Sequence, residues 1–369
     1  MPTLGKRLIA AFLIVLVLIA MNQYMSEEGI FGFGVPPYYA RVIMLAGINV
    51  ILAVSLNLIT GFTGQFSIGH AGFMAVGAYT SAYLTVYYAQ GWERSLATII
   101  GATVAHALIF LLAILVGAAV AAAAGLLVGI PSLRLRGDYL AIVTLGFAEI
   151  IRIVILNIDS VGGATGFTVP GYTNFLWVGA FAIITIIIVY NIVHSDVGRA
   201  LISIREDELA AEAMGINTTR YKVLSFVISS ALAGMAGVLF GHYTQFLSTN
   251  DFQFIRSFEI IIMIVLGGMG SLTGSVFGAI VITILPELLR RLPGDFSKYR
   301  LVVYSALLII IMLTRPQGIL GTREIGLSWL KRSQRRPEGD AAVGGSKGVP
   351  IAQQTGSTAV DREKEADNK

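Results

Sequence analysis

The chain has 369 residues, of which 55% are hydrophobic and only 13% are charged, and its mean hydropathy is +0.76. A soluble domain carries about 25% charged residues, so this composition excludes an ordinary soluble protein and indicates a membrane protein. The net charge of +4 is too small to predict a nucleic-acid partner, and the absence of cysteine excludes disulfides and thiolate metal sites.

The first element is an apolar run from Leu8 to Met21, preceded by Lys6 and Arg7. This order is typical of a cleavable signal and also of a first spanning helix. No small-x-small cleavage pattern follows the run, so we expect a retained span over 8–25, with a cleaved signal as the alternative. Residues 1–37 are assigned to this helix and an outer loop.

Further apolar segments follow along the chain, and a segment of about 20 such residues is long enough to cross the bilayer. They cover 42–60, 71–90, 98–130, 139–158, 174–194, 222–246, 258–289 and 300–314. This pattern predicts an all-α polytopic membrane protein with about eight full transmembrane helices, one broken segment and a cytoplasmic coupling helix.

Basic residues set the predicted orientation, because cytoplasmic loops carry an excess of Lys and Arg. Lys6 and Arg7 place the N-terminus in the cytoplasm. Basic residues also follow the fourth, sixth and last spans, and they fall on the same side if 98–130 is one long tilted helix. These residues include Arg134, Arg136, Arg199, Arg205 and Arg315. Both termini are therefore expected inside.

The segment 258–289 does not fit a single span. As straight helix it would measure about 48 Å, too long for one crossing of a ~30 Å core and too short for two. It contains Gly267, Gly268 and Gly270, so we expect two short helices joined at a glycine break. The basic C-terminus is inside only if this pair enters and leaves on the outer face, which makes it re-entrant.

A second glycine-rich segment, 61–73, joins the second and third spans. Irregular backbone in a bilayer must be buried in protein or line a water-filled cavity, and glycine-interrupted segments in both halves are typical of a transporter's substrate path. Close helix packing is the alternative reason for the glycines. The candidate path residues are Asn57, Gln65, Ser67, His70, Gly267, Gly268 and Gly270.

Two charged residues, Glu149 and Arg152, fall near the middle of the fifth span. Their spacing of three places them on one helix face, where they can form an ion pair. They are either a polar element of the path or a pair that fixes helix packing.

No enzyme motif is present. The sequence contains no P-loop and no H-E-x-x-H, and its G-x-S-x-G match, 344–348, lies in a polar segment without the apolar strand that this motif requires. Three of the four histidines, His106, His194 and His242, are too scattered to suggest a metal. We therefore expect no catalytic site, no cofactor and no metal. Residues 333–369 are polar and predict a disordered cytoplasmic tail.

A charged segment, 199–217, follows the sixth span and so lies on the predicted cytoplasmic side. Ser195 or Asp196 is suited to start a helix, and Gly215 is suited to end it in a left-handed turn. Its apolar residues follow one helical stripe: Ile202, Leu209, Ala213 and Ile216. The segment is predicted to be an amphipathic helix at the membrane surface whose acidic face prefers a protein to anionic lipid.

Four segments resemble, in order, the branched-chain amino acid permeases of ABC importers, the LivM type. They run from Gly64 to Tyr79, from Leu135 to Arg152, from Ile204 to Asn217 and from Ile264 to Ala279. In the third, Leu209, Ala210, Ala211 and Gly215 keep the spacing of the family's EAA loop, with Leu209 in place of the glutamate. The resemblance covers about residues 40–320, and the expected permease domain is 38–320.

The resemblance implies a permease subunit of the bacterial cytoplasmic (inner) membrane that carries branched-chain amino acids and has no catalytic site. It implies a second homologous permease chain, two cytoplasmic ATP-binding subunits and an extracytoplasmic solute-binding protein, with lipid around them and no nucleic acid. It also implies that a short cytoplasmic helix docks in a groove of the ATPase. The residues assigned to this docking are Arg205, Glu206, Asp207, Glu208, Ala210, Ala211, Glu212 and Gly215.

Two alternatives remain at this point. Urea and short-chain amide permeases of the same superfamily share these motifs. A secondary transporter acting alone would need no ATPase, and Glu149 would then carry its proton.

Overall fold

The computed structural model describes residues 16–24, 36–133, 135, 137–289, 305–306, 309, 313–314 and 318–321. The described part of the first predicted span is helical over 16–24. The predicted last span, 300–314, is described only at isolated positions, and the predicted disordered tail, 333–369, lies outside the described residues.

The described chain is mostly helical. Its helices are α1 (16–24), α2 (Pro37–Asn57), α3 (His70–Leu84), α4 (Gln90–Ile100), α5 (Ala102–Ser132), α6 (Asp138–Leu156), α7 (Phe175–Val193), α8 (Asp196–Glu206), α9 (Glu208–Ala213), α10 (Thr218–Thr244), α11 (Phe254–Gly267) and α12 (Leu272–Leu289). Short π-helical turns extend α2 over Leu58–Phe62 and α3 over Thr85–Ala89.

Six of the described helices are long and apolar enough to cross a membrane: α2 with its π-helical extension, α5, α6, α7, α10 and α12. The class of polytopic membrane protein is thus confirmed. The predicted span over 71–90 is helical, as α3 and its extension, but tyrosines and small polar residues lower its hydropathy and it is not among the six. The total of eight spans stays a prediction.

Most of the segment 98–130 lies in a single long helix, as expected. Helix α5 has 31 residues and measures about 47 Å, which exceeds a ~30 Å hydrocarbon core. It begins at Ala102 because Gly101, with φ of +87°, turns the chain out of α4. The predicted start at 98 is therefore four residues early.

Small residues bring α3, α5 and α10 into backbone contact. A Cβ added to Gly77 would lie 2.2 Å from the carbonyl oxygen of Gly234, and one added to Gly237 would lie 1.9 Å from that of Met74. In a bilayer, where apolar surface alone does not drive helices together, such close approach supplies the packing energy. The glycines within these helices thus serve packing.

Two short strands pair with each other and link the loop between α6 and α7 to the loop after α10. Strand β1 (Phe167–Thr168), between α6 and α7, pairs antiparallel with β2 (Phe246–Leu247), which follows α10. This pairing is a small departure from the predicted all-α chain.

The segment predicted over 258–289 is broken at glycine, as expected. Helix α11 ends at Gly267 and α12 begins at Leu272, with Gly268 and Gly270 at φ of +117° and +80°. A non-glycine residue is strained at such angles. Since α12 is itself long enough to cross a membrane, the re-entrant arrangement stays a prediction.

Candidate translocation path and coupling segment

Helix α12 lies antiparallel beside α2. At one end of α2, the Tyr38 hydroxyl donates a hydrogen bond to the carboxylate of Glu287, near the end of α12. At the other end, Asn57 binds the backbone that precedes α12. The glycine break therefore lies at the Asn57 end of α2, and α12 returns to the Pro37 end.

Asn57 joins α2 to the glycine break. Its side-chain Oδ1 accepts a hydrogen bond from the backbone N–H of Gly270 at 3.0 Å, and its Nδ2 donates to the carbonyl oxygen of Ser271 at 3.0 Å. The side chain is fully buried. In this conformation Asn57 satisfies the backbone of the break and is not open to a solute.

The predicted path residues in the first glycine segment are buried. Gln65, Ser67 and His70 all lie in the interior. The His70 Nε2 is 2.8 Å from the hydroxyl oxygen of Ser55 on α2, and the Ser67 hydroxyl oxygen accepts from the N–H of Gly69 at 3.5 Å. Most of the irregular backbone over 63–69 is thus buried within the chain, while Gly64 and Phe66 are exposed at its surface.

The three path glycines build the turn between α11 and α12. A Cβ on Gly267 would lie 1.9 Å from the carbonyl oxygen of Gly274, so the two helices touch through their backbones. The N–H of Ile319 donates to the carbonyl oxygen of Leu266 at 2.8 Å, and that of Leu320 to Gly267 at 3.3 Å. These bonds satisfy carbonyl groups at the end of α11.

Glu149 and Arg152 form the predicted ion pair, with Nε of Arg152 2.7 Å from Oε2 of Glu149. The other carboxylate oxygen of Glu149 accepts a hydrogen bond from the backbone N–H of Phe254 at 3.2 Å. Phe254 is the first residue of α11, whose N-terminus favours a negative charge. In this conformation the pair ties α6 to the start of α11.

The structure contains a second charged pair within the helices, which was not predicted from the sequence. Nη1 of Arg256 lies 2.7 Å from Oε2 of Glu259, both on α11. Nη2 of Arg256 donates to Oδ1 of Asn49 at 2.7 Å, and Nδ2 of Asn49 donates to Thr283 of α12 at 2.8 Å. This pair could have been predicted from the sequence, because two opposite charges three residues apart stand beside an apolar run.

The coupling segment is two helices, which corrects the prediction of one. Helix α8 ends at Glu206 and α9 starts at Glu208 because Asp207 is extended, with φ of −156° and ψ of 110°. The Asp207 carboxylate accepts hydrogen bonds from the N–H groups of Leu209 and Ala210, which caps α9. Gly215 has φ of +86°, which confirms the predicted left-handed turn.

Both acidic residues of α9 have a partner on α10. Oε2 of Glu208 lies 2.6 Å from Nζ of Lys222 on α10, and Glu212 accepts a hydrogen bond from the Thr218 hydroxyl at 2.7 Å. Leu209 is instead 63% exposed and Met214 83% exposed. The predicted outward acidic face is therefore wrong for Glu208, which the buried Lys222 draws inward, whereas Glu212 is exposed as predicted.

Within this segment the remaining docking residues differ in exposure. Ala210 is exposed whereas Ala211 is buried. The exposed residues of α9 are thus apolar except for Glu212.

Arg205, at the end of α8, connects the coupling segment to both glycine segments. Its Nη1 donates to the carbonyl oxygen of Gly61 at 3.0 Å, and a Cβ on Gly270 would lie 2.9 Å from that nitrogen. Its Nε and Nη2 donate to Glu206 at 3.1 Å and 2.6 Å. A movement of α8 would therefore act on both segments through one side chain.

The family model described as branched-chain amino acid transport system / permease component matches residues 38–312. The chain is 34% identical over 309 residues to the high-affinity branched-chain amino acid transport system permease protein LivM of Salmonella typhimurium, which covers 74% of this chain and 68% of that protein.

The LivM protein of Escherichia coli strain K12 is also 34% identical, over 312 residues, covering 75% of this chain and 68% of LivM. The permease protein LivH of the same strain is 34% identical over 150 residues, covering 41% of this chain and 47% of LivH. The resemblance seen in the sequence is thus confirmed, and the chain belongs to the family of branched-chain amino acid transport system permease components.

Proposed function

We propose that this chain is a membrane-spanning permease subunit of an ABC importer that moves branched-chain amino acids across the bacterial cytoplasmic membrane. A solute-binding protein delivers the amino acid, and two ATP-binding subunits supply the energy. The second permease chain is a homologue, which the shared identity with both LivM and LivH supports. No chemical reaction takes place within this chain.

In this proposal the Asn57 end of α2 is cytoplasmic and its Pro37 end is extracytoplasmic. The charged segment α8–α9 contacts the Asn57 end through Arg205, and the glycine break lies beside it. The helix pair α11–α12 then enters and leaves at the extracytoplasmic side. Both chain termini are cytoplasmic, following the basic residues of the sequence.

The observation that carries the proposal is the position of the coupling segment. Leu209 on α9 and Met214 directly after it are both exposed, and they fit an apolar groove of an ATPase subunit. At the end of the preceding helix α8, Arg205 contacts both glycine segments. Closure of the two ATPases on ATP would displace α9, and Arg205 would pass that displacement to the Gly61 and Gly270 backbone.

The test is transport by the complete assembly in proteoliposomes. We expect uptake of radiolabelled L-leucine that requires both ATP on the cytoplasmic side and the binding protein. Uptake that needs an ion gradient and no ATP would instead establish a secondary transporter, and uptake of urea or a short amide in place of leucine would reassign the cargo.

The docking role of α9 is tested by Leu209→Glu. A charge at the centre of an apolar contact loses its hydration, so we expect ATP-driven uptake to fall by about tenfold or more. Leu209→Met keeps an apolar side chain of similar size and serves as the matched control. Wild-type uptake by the glutamate variant would remove α9 from the ATPase contact.

A further inference from the structure

The charged pair on α11 lies at the depth of the middle of α2. Asn49, which accepts from Arg256, is about 18 Å along α2 from Pro37, and the apolar stretch Pro37–Phe62 has 26 residues. Within the described residues, Arg256, Glu259, Asn49 and Thr283 form one connected polar group.

This polar group opens at the surface of the chain. The side chain of Glu259 is 44% exposed. A charged side chain that faces hydrocarbon at the centre of a bilayer costs several kcal/mol, and such residues face a bundle interior or a water-filled cavity. The exposed side of α11 therefore faces water or another protein chain in the assembled membrane protein.

The same face continues along α2 toward Pro37. Positions 38, 41, 45 and 49 follow one helical stripe, and on α12 Thr283 and Glu287 are four residues apart. Between the two helices, beside Tyr38, Arg41 and Glu287, lies a cleft of about 180 Å³. Val42 and Leu45 supply its apolar lining, and its volume suits a small solute rather than a drug-sized ligand.

We infer that Arg256 and Glu259 bind the carboxylate and the ammonium group of a zwitterionic amino acid as it passes along this face. The inference rests on the proposed function and names where the cargo is recognised within this chain. A guanidinium binds a carboxylate in a planar, bidentate geometry, and a carboxylate accepts strongly from an ammonium group.

Charge balance favours a zwitterion over other solutes. The pair has no net charge, so an amino acid inserted between the two groups leaves neither charge unpaired. A neutral amide or urea cannot replace the ion pair in this way, and a solute with a net charge leaves one group uncompensated. The pair thereby distinguishes an amino acid from the alternative cargoes.

The other charged pair is the natural control. Glu149 already uses its second oxygen on the N–H of Phe254, so this pair is committed to holding the start of α11. It has the same residue types at the same spacing of three, which makes identical substitutions possible at both sites.

The experiment compares Arg256→Gln/Glu259→Gln with Arg152→Gln/Glu149→Gln in the complete transporter in proteoliposomes. Glutamines retain hydrogen bonding and leave no unpaired charge, so the first double variant is expected to assemble and to keep its thermal midpoint. We expect its L-leucine uptake to fall by about tenfold or more, while ATPase activity stimulated by the binding protein stays within about twofold. The control is expected to lower uptake, ATPase activity and thermal midpoint together, because a neutral glutamine at position 149 loses the favourable interaction of the carboxylate with the N-terminus of α11.

Two results would overturn the inference. One is leucine uptake by the first double variant at the wild-type rate, and the other is a parallel loss of uptake, ATPase activity and thermal midpoint, which indicates a structural pair. Should that double variant fail to assemble, the single variant Arg256→Lys decides: a raised KM with unchanged assembly supports the site, and an unchanged KM opposes it. A wild-type assembly that does not transport leucine would refute the proposed function itself.

Discussion

Replacing Glu208 by glutamine removes the ion pair that holds α9 against α10. The carboxylate lies 2.6 Å from Nζ of Lys222, whose side chain is only 2% exposed, while that of Glu208 is 22% exposed. Removal of one partner of a buried pair costs about 3–5 kcal/mol, because the remaining charge is left uncompensated. The partial exposure of Glu208 places the expected cost at the lower end, about 3 kcal/mol.

Loss of the ion pair lowers the free energy of local opening of α9, because a short segment can open without unfolding of the whole protein. A change of about 3 kcal/mol corresponds to a roughly hundredfold change in an opening equilibrium. The amides of Ala211 and Met214 report it, since they donate to carbonyl groups of the segment itself. We expect hydrogen exchange at both amides to be about a hundredfold faster in Glu208→Gln than in the wild type.

Two further variants isolate the cause. Glu208→Gln/Lys222→Met removes both charges, so protection should return close to that of the wild type. Glu206→Gln removes an exposed carboxylate paired with Arg205, a type of pair worth about 0–1 kcal/mol, so exchange should change by only a few-fold. Equal exchange in Glu208→Gln and Glu206→Gln would refute the argument that burial of Lys222 makes the first pair strong.

Two other substitutions test the packing and the path face. Gly237→Ala places a Cβ 1.9 Å from a carbonyl oxygen of α3, so we expect overpacking to cost about 1–3 kcal/mol and to lower the thermal midpoint. In the control Gly91→Ala the added Cβ meets nothing within 4 Å, so the thermal midpoint should stay unchanged or rise. Equal midpoints for the two variants would contradict the close contact between α3 and α10. Because the chain has no cysteine, Leu45→Cys provides a unique thiol in the cleft, and we expect a membrane-impermeant charged thiol reagent to modify it. The control is Ile142→Cys on the exposed face of α6, which we expect the reagent not to modify. An unreactive Leu45→Cys would show that the cleft between α2 and α12 faces lipid.

The structure of the coupling segment was only partly predictable from its sequence pattern. The sequence placed a polar helix between two spans, and the left-handed Gly215 confirms its end. Its division at Asp207 follows from a side chain that caps the next helix, a choice that local propensity leaves open. Which side of α9 is exposed depends on Lys222, fourteen residues after Glu208 and buried only once α10 has packed.

For the polar residues of the path, the sequence likewise predicted the residues but not their partners. Apolar length and the glycine break were readable in the sequence, because a bilayer restricts the backbone to helices and enclosed turns. Asn57 was also readable as a polar residue within a span, but its bonds to Gly270 and Ser271 join positions more than two hundred residues apart.

The sequence by itself determined that this is a membrane protein, that one long helix fills most of 98–130, that the chain breaks at glycine after Gly267, and which permease family it belongs to. These features depend on composition and on neighbours in the chain, which every bilayer protein must satisfy locally. Only the tertiary structure decided which charges meet: Arg256 with Asn49, Glu208 with Lys222 and Arg205 with Gly61. Such pairs depend on the register between helices distant in sequence, and backbone contact through small residues sets that register.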